Sequence, residues 1–189
     1  MHRLLSWTAG FLAFPLAGLA GAAAVGPVDR PVAAVLGGAV TGLVVGAGQA
    51  LASRGRLDPR RWVPATALGM AAGLGLGATA VGFDTSLPAL ALMGAMTGLP
   101  LGVAQALALP PGSRRVPWAL ATVPLWALGW TVTASIGIDV EAQYPIFGSS
   151  GAVVVTLLLG LLLDRVLPAV PARAIVQASG GCRRPHHTP

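Results

Sequence analysis

Gly38-Ala39-Val40-Thr41-Gly42-Leu43-Val44-Val45-Gly46-Ala47-Gly48-Gln49-Ala50-Leu51 returns further along the chain as Gly94-Ala95-Met96-Thr97-Gly98-Leu99-Pro100-Leu101-Gly102-Val103-Ala104-Gln105-Ala106-Leu107. In both copies glycine recurs every fourth residue, and Gly69, Gly73 and Gly77 keep the same spacing. On a helix of about 3.6 residues per turn each set draws one stripe. A glycine stripe on an apolar helix lets a neighbouring backbone come close, the usual basis of helix packing in lipid. A weaker third copy has Ser150-Gly151 for Thr-Gly, then Val155 and Leu158 where the third glycine and the glutamine would stand.

Outward from these stripes lie two further marks of repetition. The turns read Val25-Gly26-Pro27-Val28-Asp29, Val81-Gly82-Phe83-Asp84 and Ile136-Gly137-Ile138-Asp139. Trp7, Trp62 and Trp118 stand 19, 20 and 19 residues before the turn glycine. At a rise of ~1.5 Å per residue that separation is ~29–30 Å, the thickness of a bilayer's hydrocarbon core. The tryptophans are therefore expected at one membrane interface, where indole rings are favoured, and the aspartates at the other. Arginine precedes each tryptophan (Arg3; Arg60 and Arg61; Arg114 and Arg115). The pattern predicts three helical hairpins, about 1–55, 56–112 and 113–168, in parallel orientation around an axis along the membrane normal.

Composition agrees. The 189 residues are 54% hydrophobic and 10% charged, where soluble domains carry about 25% charge, and the mean hydropathy is +0.75. These values exclude a soluble globular domain, and one cysteine excludes a disulfide scaffold. Six apolar segments, about 4–26, 31–53, 62–82, 87–109, 116–137 and 143–166, approach the ~20 residues of a membrane-crossing helix. The expected fold class is all-α integral membrane: six transmembrane helices as three parallel hairpins within 1–168, followed by a disordered basic tail, 169–189. The first segment is long and belongs to the repeat, so it reads as a retained span rather than a cleaved signal peptide.

The net charge of +6 does not indicate a nucleic-acid partner. All the basic residues are arginine, placed between or beyond the apolar runs, with no soluble face to gather them. Placing the arginine-rich connections in the cytoplasm leaves only Arg30 outside, with Asp29, Asp84, Asp139 and Glu141, and puts both termini inside. The expected location is the plasma (inner) membrane, with the arginine rim on anionic lipid headgroups.

Few residues carry chemistry. Gln49 and Gln105 fall on the glycine stripes near the cytoplasmic end. A carboxamide in lipid must find partners, so they either lock helices together or line a ligand path. Thr41 and Thr97 lie nearer mid-membrane, where a helical threonine can bond to its own preceding backbone. Asp29, Asp84 and Asp139 precede the return helices and read as outer-turn caps. Trp126 and Trp130, one turn apart, are candidates for core packing or ligand stacking. Pro15, Pro100 and Pro124 should bend their helices. His2, His186, His187 and Cys182 are terminal and offer no metal or haem site, and no intramembrane charged relay exists. No cofactor, metal or enzyme activity is expected.

The arginine–tryptophan lead and the T-G-x-x-x-G-x-x-Q helices resemble a group of uncharacterised bacterial multi-pass membrane proteins with Gly-rich hairpin repeats. In that group similar repeats often read G-x-x-Q-W; here Ala50 and Ala106 follow the glutamines. The resemblance implies the repeat architecture and no known activity. Two function classes follow from the residues. The first is a structural or accessory membrane component acting through helix packing with itself, as a homo-oligomer, or with a membrane-protein partner. The second is a small-solute channel or facilitator with a path along the repeat axis.

Overall fold

The computed structural model describes residues 2–136 and 149–168. Among them every regular element is helical. Helices α1 (His2–Ala9) and α2 (Ala13–Val25) are joined by a 3-10 turn, Gly10–Leu12, into one rod. The tightening comes just before Pro15, whose missing N–H removes a helical bond at that level. The other rods are α3 (Pro31–Ala52), α4 (Pro59–Ala80), α5 (Leu87–Ala108), α6 (Arg115–Ser135) and α7 (Ser149–Val166).

Four rods, His2–Val25, α3, α4 and α5, are long and apolar enough to cross a membrane. Helix α6 mixes tryptophan, proline and threonine into its length, which lowers its hydropathy. Helix α4 begins earlier than the apolar run suggests. Asp58 caps it, its Oδ1 accepting from Arg60 N at 3.0 Å, and Pro59 fills the first helical position, where its missing N–H is harmless. The expected start of the last segment at 143, the tail 169–189 and Asp139 lie outside the described residues.

Rods adjacent in sequence pack side by side, and α1 meets α7, so the bundle closes into a ring. The tightest seams join α3 to α4, α4 to α5 and α5 to α6. They are where the glycine stripes lie. A Cβ on Gly42 would fall 2.6 Å from Ala67 Cα, one on Gly73 2.6 Å from the Thr97 carbonyl oxygen, and one on Gly98 2.7 Å from that of Thr122. The stripes are thus used within the chain, backbone against backbone. The outer surface carries Leu5, Leu51, Leu68, Leu107 and Leu120, all more than 60% exposed. So much exposed leucine is a liability in water and the ordinary face of a helix in lipid.

Candidate functional site

The ring has two ends. Connections 53–58 and 109–114 form an arginine end; turns 26–30 and 81–86 form an aspartate end. The axis is filled at the first and hollow towards the second.

At the arginine end Trp7, Trp62 and Trp118 are 1%, 0% and 0% exposed. The interface expectation fixes only their depth; their rings turn inward into one buried cluster. Trp62 and Trp118 meet edge to face with centroids 5.7 Å apart, the arrangement aromatic quadrupoles favour. The inward turn satisfies indole N–H groups that lipid could not. Trp7 Nε1 donates to the Thr156 carbonyl at 2.8 Å, and Trp62 Nε1 donates to Gln49 Oε1 at 3.0 Å.

Gln49 and Gln105 belong to this layer. Gln105 Nε2 donates to Gln49 Oε1 at 3.2 Å and to Thr66 Oγ1 at 3.0 Å, while Thr66 Oγ1 donates to the Trp62 carbonyl at 2.9 Å. One network therefore crosses α3, α4 and α5. The repeat-equivalent pair is left open, for Gln105 Oε1 and Trp118 Nε1 are buried without partners. Beneath the layer, Arg56 pairs with Asp164 and ties the α3–α4 connection to α7.

Towards the aspartate end the axis opens into a cavity of about 530 Å³. Every rod contributes to its wall: Ala17, Thr41, Met70, Thr97, Trp126 and Val155 stand for the six. Such a volume, with mostly apolar walls and few polar groups, is that of a small-molecule site. The wall runs out to Asp29 and Asp84, which are exposed. Gln49 and Gln105 do not line it.

The two threonines differ. Thr41 Oγ1 donates back to its own helix, 2.9 Å from the Gly37 carbonyl and 3.1 Å from that of Gly38. Thr97 is 0% exposed and its Oγ1 has no partner. Nearby, Thr133 Oγ1 accepts from Gly151 N at 3.1 Å and holds α7 to α6.

Asp29 and Asp84 are not the caps expected of them. Arg30 occupies the N-cap of α3, with Pro31 following, and the Asp29 carboxylate lies 3.9 Å from Arg30 Nε. Asp84 stands two residues before the N-cap of α5, Ser86. Its Oδ1 accepts from Ser86 N at 2.9 Å and its Oδ2 from Ser86 Oγ at 2.8 Å. The backbone bond first, and then the hydroxyl bond, hold its carboxyl below the ordinary aspartate range. The displacement has a backbone cause. Gly26 and Gly82 take positive φ values of 70° and 62°, so the chain turns sharply there and needs more residues before the next helix starts.

Comparison with known proteins adds nothing to this geometry. No protein-family model, no curated protein and no solved structure matches the chain. Among the described residues no group of three histidine, cysteine, aspartate or glutamate side chains is placed to hold a metal.

Sequence reasoning named the glutamines without their partners, Trp62 and Thr66. A signal was present, because Gln49 and Trp62 are 13 residues apart and so are Gln105 and Trp118. The cavity left none: alanine, glycine and threonine on inward faces look the same whether a ring closes tightly or stands open.

Proposed function

We propose that this chain is a non-enzymatic, six-span membrane protein that holds a small molecule in the aspartate half of its ring. The observation that carries the reading is the cavity, walled by every rod and ending on exposed residues at the aspartate end. Glycine stripes available on the surface would have favoured a structural or accessory component packing against itself or a partner. Here they are taken up inside the ring.

The orientation that follows puts the arginine end and both termini in the cytoplasm of a plasma membrane. Arg54, Arg60, Arg61, Arg114 and Arg115 are exposed, each contributing about 1 kcal/mol on an anionic leaflet. The three parallel hairpins then place Asp29 and Asp84 outside, so the cavity fills from the external side. With Cys182 replaced by serine, a cysteine at Asp84 reacts with an impermeant thiol reagent in intact cells and one at Gly112 does not. The reverse pattern sinks the orientation.

A facilitator is the second reading, favoured by one observation. The layer that closes the axis is only half bonded, because Gln105 Oε1 and Trp118 Nε1 lack partners, and a seal of that kind parts at lower cost than a saturated one. Native mass spectrometry of mildly extracted protein tests the binding reading. The parent retains a defined small molecule, and Leu74→Trp, which fills the cavity from α4, releases it. A parent that, like the variant, shows only the mass of its own bare chain would end the proposal.

A further inference from the structure

The cavity wall has a chemical bias that names the class of its occupant. Among the described residues its charged members are Asp29 and Asp84, both acidic and both at the exposed rim. Arg30 touches Asp29 at 3.9 Å across two exposed side chains, a contact of little strength. Asp84 is bonded to the neutral Ser86 and forms no ion pair among the described residues. Beside it Phe83 holds a φ of 61°, uncommon for a bulky residue, and lines the rim, with Trp130 also in the wall. Aromatic faces attract cations as carboxylates do. The two carboxylates disfavour an anion here.

A second and independent observation lies in the wall. A helical threonine ordinarily bonds to its own backbone, as Thr41 does, but Thr97 Oγ1 is fully buried with no partner. A buried hydroxyl without a partner is costly, and Thr97 belongs to the lining of this same cavity.

We infer that the occupant is an amphipathic cation, its apolar body seated among Met70, Met93 and Trp126 and its protonated or quaternary amine held at the rim by Asp29 and Asp84. This rests on the reading that the cavity holds a small molecule. It adds the charge, and with it selectivity: neutral apolar molecules fit the body of the site but gain nothing at its mouth.

Two probes separate the claims, 4-phenylbutyltrimethylammonium and its uncharged isostere with carbon in place of nitrogen. Binding is measured by equilibrium dialysis on the full chain in phosphatidylcholine nanodiscs, with empty nanodiscs subtracted. The cation binds the parent about tenfold more tightly than the isostere. In Asp29→Asn/Asp84→Asn that preference shrinks to less than about twofold, while binding of the isostere persists and shows that the variant is folded. The parent in about 0.5 M sodium chloride shows the same narrowing without any substitution. Equal binding of both probes by the parent overturns the cation assignment and leaves the cavity reading standing. A preference that survives both the substitutions and the salt overturns the assignment to these carboxylates. Failure of the parent to bind either probe overturns the reading on which the inference rests.

Discussion

The two halves of the ring share the same six rods and differ in what stands on the axis. Six helices in a closed ring leave a central space that inward side chains must fill. At the arginine end three buried indoles from equivalent positions, Trp7, Trp62 and Trp118, join one cluster and fill it, with Gln49 accepting from Trp62 and the Thr156 carbonyl from Trp7. At the aspartate end the inward positions include Ala17, Gly21, Thr41 and Thr97, too small to meet across the axis, and a cavity remains. One architecture thus yields a plug or a pocket according to side-chain volume. Along the α3–α4, α4–α5 and α5–α6 seams, close glycine contacts occur in both halves.

The largest effect that separates the halves is a deletion of volume. Trp62→Ala opens a void in the filled half and costs about 3–5 kcal/mol, whereas Leu74→Ala, on a wall that already borders empty space, costs less than about 2 kcal/mol. Denaturant titration of the protein in detergent compares them. Equal losses would mean that the aspartate half is as densely packed as the other.

An intermediate effect tests the asymmetry within the plug. Gln49→Leu strands the Trp62 indole and one bond of Gln105, a loss of about 2 kcal/mol. Gln105→Leu leaves the Trp62–Gln49 bond in place and removes an unpartnered carbonyl, so it costs about 1 kcal/mol or less. Reversal of that order in the same titration would show that the second glutamine is the anchor.

The smallest effect concerns the pocket wall. Thr97→Val keeps the shape and removes an unpartnered hydroxyl, so stability in the ligand-free protein rises by up to about 1 kcal/mol. Thr41→Val forfeits a bond to its own helix and changes stability by less than about 0.5 kcal/mol. A thermal melt in which Thr97→Val is destabilised would show that its hydroxyl is already satisfied.

Much of this fold was legible because lipid imposes one-dimensional rules. Helix extents follow apolar length, and the boundaries of α3 and α5 match the apolar runs 31–53 and 87–109 to within one residue. The glycine stripes announced close seams because only a missing side chain permits backbone contact. Direction around the axis was harder to read. The tryptophans were placed by depth alone, and depth does not say whether an indole faces lipid or its own repeat mate. The partner of Gln49 sits on the next helix, α4, so the glutamine suggested a bond and not its destination. Asp29 and Asp84 misled because aspartate before a helix ordinarily caps it, while the positive-φ glycines push the caps on to Arg30 and Ser86.

The central claim, a hollow aspartate half above a sealed arginine half, is tested most directly by cysteine accessibility in proteoliposomes of the Cys182→Ser protein. One cysteine replaces Thr41, half-buried on the cavity wall, and another replaces Leu101, buried at the plug. A small methanethiosulfonate reagent is applied to each face in turn. The account predicts that Thr41→Cys is modified from the aspartate face alone and that Leu101→Cys is modified from neither. Modification of Leu101→Cys from the arginine face, or protection of Thr41→Cys from both, would contradict it.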